Sequence, residues 1–133
     1  MVEETVVKEQ LTETMIRSGA ELTEKLDSMG LPLAAAMWFF VPEVNEWRLF
    51  FASPEVDALG PRSVYKKIQD AVAALGGETP IPLSMIGVLD AEADVVHLLQ
   101  AVVRTGPGIN RIRFSKNVIN GHFIDDALIY RVA

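Results

Sequence analysis

A chain of 133 residues, half of them hydrophobic and 23% charged, can bury roughly two-thirds of the surface its unfolded form exposes, which excludes intrinsic disorder. A formal net charge of −6 opposes attraction to a nucleic-acid backbone. The absence of cysteine excludes a disulfide frame, a thiolate nucleophile and a cysteine-ligated metal.

The longest uncharged apolar run, Leu31 to Val41, contains Pro32 and falls far short of the roughly 18 residues that a membrane span needs. Met1–Thr5 is acidic and precedes an amphipathic pattern, the opposite order to a signal peptide. With no repeat or linker composition, residues 1–133 read as one globular domain of a small, soluble, cytoplasmic protein of bacterial type.

In chain order, Val7, Leu11, Met15, Leu22, Leu26 and Met29 recur at helical spacing, with Ile16 widening the stripe. A helix is expected from about Glu4 to Met29, ended by Gly30 in a left-handed conformation and by Pro32 beyond it. Ser18-Gly19-Ala20 would permit a bend or a close approach. Leu33–Val41 carries no charge and has bulk on both alternating faces, so it reads as the central strand, covered on both sides. Pro42–Glu46 is a polar turn, and Trp47–Ala52 returns as a second buried strand. Ser53–Gly60 reads as an irregular loop with two acids.

The second helix starts at Pro61 and ends at Gly76-Gly77, with Val64, Tyr65, Ile68, Ala71, Val72 and Leu75 forming its apolar stripe. Thr79–Pro82 is an extended connector and Leu83–Leu89 a short buried strand. Asp90 is placed to cap a third helix carrying Val95, Val96, Leu98, Leu99, Val102 and Val103. Arg111–Phe114 and His122–Val132 are joined through Asn120-Gly121, the strongest local hairpin signal in the chain. The order α-β-β-α-β-α-β-β predicts an α+β fold, a single five-stranded mixed sheet with three helices packed on it.

Three clusters could carry chemistry. On the closing hairpin, alternation would put His122 and Asp126 on one face and Asp125 on the other, where Lys116 would pair with it across the strands. A histidine and a carboxylate so placed could act as an acid–base pair, although a metal would need a third ligand from elsewhere. Arg111, Arg113 and Lys116 with Arg131 form the one concentration of positive charge. This strip could suit a small anionic ligand or an acidic protein partner, but a solvated sheet face or edge is the plainer reading. The loop after the second strand brings Glu55, Asp57, Arg62 and Ser63 near a helix N-terminus, with Trp47 or Tyr65 as a wall, while Gly60-Pro61 also reads as ordinary capping. His97 reads as a hydrogen-bonded boundary residue of the third helix.

There is no G-x-x-x-x-G-K-[ST], no G-x-G-x-x-G and no G-x-S-x-G in the chain. No cofactor and no metal are therefore expected. The first functional expectation is a non-enzymatic binding or regulatory module acting as a homo-oligomer, a dimer through the long first helix or an edge strand. The second is a carboxylate- or metal-dependent hydrolase or nuclease acting on an anionic substrate. It would draw on Glu55, Asp57, His122, Asp125 and Asp126, with Arg62 or Arg113 steadying the anion. Membrane association is not expected, and nucleic acid is disfavoured by charge.

Overall fold

The computed structural model describes residues 7–76 and 81–133, so Glu4–Val6, Gly77 and Thr79-Pro80 of the expectations above lie outside the described residues. The elements are α1 (Glu13–Ser28), β1 (Ala35–Val41), β2 (Glu46–Ser53), α2 (Pro54–Leu59), α3 (Pro61–Ala74), β3 (Ile86–Asp90), α4 (Asp94–Gln100), β4 (Ile112–Ile119) and β5 (His122–Val132). A single turn of 3-10 helix, Leu83–Met85, replaces the first half of the strand expected over 83–89.

The five strands form one mixed sheet in the order β3-β2-β1-β5-β4. β1 runs antiparallel to both β2 and β5, β4 antiparallel to β5, and β2 parallel to β3. The run that lacks charge is therefore the middle strand. Ala36, Trp38 and Phe40 pack with α1 and α3 on one face. Ala35 and Met37 pack with Val96 and Leu99 of α4 on the other. Trp38 is 0% exposed, as a strand covered on both sides requires.

Three further elements depart from the sequence reading. α4 has Ala93, not Asp90, at its N-cap and ends at Gln100, short of Val102 and Val103; Asp90 closes β3, and its Oδ1 accepts from the Glu92 N–H at 2.9 Å. α1 begins at Glu13 rather than near Glu4, because Thr12 caps it, its Oγ1 accepting from the Met15 N–H at 3.2 Å. Residues 7–12 have other partners. Asn45 of the β1–β2 turn accepts from the Glu9 N–H at 2.9 Å and donates to the Val7 carbonyl at 3.0 Å, and the Trp47 indole donates to the Glu9 carbonyl at 2.9 Å. These bonds fix the segment in an extended form that a continued helix would forfeit. Ser53–Gly60 is not irregular: Ser53 Oγ caps α2, Pro54 occupies its first turn, and Glu55 and Asp57 lie at its positive end.

α1 docks on the sheet through one buried chain of hydrogen bonds. The Trp38 indole donates to Tyr130 Oη at 2.8 Å, and that hydroxyl donates to the Ile16 carbonyl of α1 at 2.5 Å. Burial pushes the Tyr130 phenol up to about 12, so it remains a donor at ordinary pH. A register shift between β1 and β5 allows this arrangement: Ala36 faces Arg131 whereas Met37 faces Ile129, leaving Tyr130 as the extra residue of a bulge. Tyr130 and Arg131 thus both reach α1, where Arg131 holds Asp27 with two bonds of 2.8 Å.

Gly19 is the position on α1 that Tyr130 and Trp38 press against. A Cβ there would collide with the Tyr130 hydroxyl and lie 2.9 Å from Trp38 Nε1. Gly19→Ala should therefore destabilise the chain by about 1–3 kcal/mol, outweighing the gain in helix propensity. Because the clash is with the hydroxyl, Tyr130→Phe should couple to it. In urea unfolding the double variant should be more stable than the sum of the two single losses by about 0.5 kcal/mol or more, and strict additivity would refute the assignment.

Candidate functional site

The candidate residues of the closing hairpin are placed by one distortion. Phe114 and Ala127 lie in the core beneath α4, and so do Ile119 and Ile124, which strict alternation along each strand would put on opposite faces. The change of face falls at Lys116, whose φ is 49°, and at Asp125 opposite it, the one position within the hairpin left out of the ladder. The expected sharing is thereby reversed. His122 and Asp125 border one cleft on the α4 side, whereas Asp126 lies on the α1 side next to Phe40 and Trp47. Asp125 also does not pair with Lys116, because Lys8 reaches it at 3.0 Å.

Asp126 is buried and fully engaged. Arg113 grips it with Nε to Oδ1 at 2.6 Å and Nη2 to Oδ2 at 2.7 Å. Ser115 Oγ donates to Oδ1 at 2.9 Å and Lys8 Nζ to Oδ2 at 3.0 Å. Burial alone would favour the neutral acid, but these donors outweigh it and hold the carboxyl far below the usual carboxylate range. The same bonds raise the pKa of Arg113, and on Lys8 desolvation is outweighed by the bonds to Asp125 and Asp126, which raise it as well. The guanidinium also lies 5.2 Å from the Trp47 ring centroid.

Two further members of the basic strip are similarly occupied. Arg111 pairs with Glu13 at 2.8 Å, and Arg131 is buried against Asp27 and the Gly108 carbonyl. Of the three arginines that looked like an anion site in sequence, Arg111 and Arg131 are therefore links to α1, and Arg113 clamps β4 to β5.

Glu55 and Ser63 are half-buried and Asp57 and Arg62 exposed at the other end of the sheet, with Glu55 paired to Lys67 of α3. Ser53 lies beside Ala52, which faces Ala35 at the start of β1, whereas Asp126 lies beside Ala127, which faces Phe39 near its end. The two candidate sets are thus not brought together. Trp47, expected as a wall for the first set, sits with the second, while Tyr65 Oη donates to the Ile86 carbonyl.

The structure does create a cleft that the sequence reading missed. It encloses about 670 Å³ between α4, the end of β1 and the β4–β5 tip. Phe39, Val95, Leu98, Phe123 and Ile124 supply apolar walls, and Glu43, Asp94 and Asp125 supply carboxylates. Both histidines of the chain, His97 and His122, border it, and His97 Nε2 lies 2.8 Å from Glu92 Oε2. Its members come from three separate segments, so no local pattern announced it. Among the described residues no three His, Asp or Glu side chains gather in a way that could hold a metal ion.

The depressed titration of Asp126 sets a pH dependence. A carboxyl held low in the folded state adds stability that is complete above the unfolded value near pH 4 and is lost as pH falls through and below it. Asp126→Asn should lower stability at pH 7 by about 1–3 kcal/mol, and the gap to the unchanged protein should close as denaturation is followed towards pH 2. A gap constant with pH would be inconsistent with this account. No family model, curated protein or solved structure matches the chain.

Proposed function

We propose that this protein is a non-enzymatic binding or regulatory module acting as a homo-oligomer, and that the cleft at the β4–β5 tip is its ligand site. The observation that carries this reading is the composition of the cleft, with apolar side chains on its walls, the carboxylates of Glu43 and Asp94 beside them, and Asp125, shared with Lys8, at its border. Such a surface favours a ligand with an apolar body and a cationic or hydrogen-bond-donating head. An anionic ligand is less well served, because Arg111, Arg113 and Arg131 are each already bonded to a carboxylate. The engagement of Asp126 by Arg113, Ser115 and Lys8, and of Glu55 by Lys67, supports binding over carboxylate catalysis. No helix among the described residues is long and apolar enough to cross a membrane.

The cleft is tested by thermal unfolding with matched alkyl- or aryl-ammonium and carboxylate compounds. A ligand that binds only the folded state raises the melting temperature. The ammonium series should do so and the carboxylate series should not, and Leu98→Trp, which fills the cleft, should abolish the shift. Equal responses to both series, or an unaltered response in Leu98→Trp, would overturn the reading.

For assembly, support comes from the outer hairpin rather than from the first helix, which is only 16 residues long. β4 is an edge strand, and Val118 and Phe123, paired across the hairpin, are 67% and 63% exposed. Light scattering should give a mass above that of one chain at high concentration, and Phe123→Glu should shift it towards the monomer. A monomer at every concentration would eliminate this part of the proposal.

A further inference from the structure

The N-terminal segment 7–9 lies in a socket whose parts would recognise any extended peptide carrying one lysine. Asn45 bonds the carbonyl before the lysine and the N–H after it, as one strand reads another, and Trp47 bonds the following carbonyl. The Lys8 ammonium lies 4.5 Å from the Phe40 ring centroid and 5.8 Å from that of Trp47, with Asp125 and Asp126 each at 3.0 Å. Aromatic faces with two carboxylates are a recognition set for a primary ammonium. Val7, Glu9 and Gln10 are exposed and make no such contacts, and the Lys8 side chain itself keeps 42% of its surface open. Beside Glu9 and Gln10 a second cleft of about 540 Å³ stands open, with Met15, Val44, Trp47, Pro82 and Met85 in its lining.

We infer that this socket is a binding site for an extended, lysine-bearing segment of a partner protein, and that Val7–Glu9 is a tethered occupant which the partner displaces. The partner segment carries a lysine followed two residues later by an apolar side chain, which fills the cleft that the chain's own Glu9 and Gln10 leave open. The same arm from a second copy is a poorer occupant. It brings identical contacts and gives up the millimolar effective concentration of the tethered arm. The site is separate from the cleft of the proposed function, although Asp125 borders both, so either can fail alone.

The test uses the full chain with the arm loosened and the socket untouched. Lys8→Ala removes the ammonium, and Glu9→Pro removes the N–H that Asn45 accepts. The probe is a fluorescently labelled peptide of sequence Val-Lys-Glu-Gln-Leu, that of residues 7–11, together with a version carrying Gln10→Phe. By fluorescence anisotropy the double variant should bind both peptides at least about tenfold more tightly than the unaltered chain, and the phenylalanine version more tightly than the other. Norleucine in place of the lysine should cost at least about tenfold, and adding Asn45→Ala should abolish binding. A melting curve establishes that each variant is folded. A folded double variant that binds no better than the unaltered chain, or that ignores the lysine, overturns the inference. So does exchange of arms between copies, seen as a dimer that Lys8→Ala/Glu9→Pro dissociates while the peptides fail to bind.

Discussion

The contact on which the architecture turns is the buried hydroxyl of Tyr130, which accepts from the Trp38 indole and donates to the Ile16 carbonyl. An indole N–H and a phenol O–H shut away from water would each cost about 1–3 kcal/mol if left unpaired. The chain from Trp38 through Tyr130 to the helix carbonyl satisfies both. It can do so only because β5 carries an extra residue at that point and because Gly19 leaves room for the ring. Sheet, bulge and helix are thus mutually dependent, and the layer formed by α1 and α3 is seated on the central strand by a directional bond as well as by apolar burial.

Around this seat the charged residues act mainly as fasteners. Arg131 ties α1 to β5 through Asp27, Arg111 ties its first turn to the segment before β4 through Glu13, and Lys8 ties the N-terminal segment to β5 through Asp125 and Asp126. In an acidic chain with 12 Lys and Arg against 18 Asp and Glu, cations engaged in this way leave carboxylates in the majority on the open surface. The character of the cleft near the hairpin tip follows from that allocation. Its apolar walls are required by the core behind them, and among the described residues only Asp125 of its three acids is held by a cation, Lys8.

The parts of the fold that were legible in the sequence were those fixed by local chemistry. Two-faced bulk without charge specified the central strand, helical spacing between Pro61 and Gly76 specified α3, and Asn120-Gly121 specified the closing turn, where both residues have positive φ. The start of α1 was hidden because Val7 and Leu11 happen to continue its stripe, while the partners that hold residues 7–9 extended, Asn45 and Trp47, are almost forty positions away. α2 was readable in principle, since Ser53-Pro54-Glu55 is a cap, a first-turn proline and a first-turn acid in succession. The exchange of faces at Lys116 was not readable. A lysine with φ of 49° has no compositional signature, and this single residue decided which acids of the hairpin stand together. The arginine strip misled for a related reason: Glu13 and Asp27, which neutralise two of its members, are about a hundred residues distant along the chain.

The same kink bears on how far the sheet can grow. β4 is one of the two outer strands, and an uninterrupted outer strand offers its free amides and carbonyls as a template for further chains. At Lys116 the backbone turns into the left-handed region, so the regular rows on either side, 112–115 and 117–119, no longer form one continuous edge. An incoming strand could register with one short row or the other but not with both. The β4 edge is therefore a poor seed for fibrils, even with Val118 and Phe123 uncovered nearby.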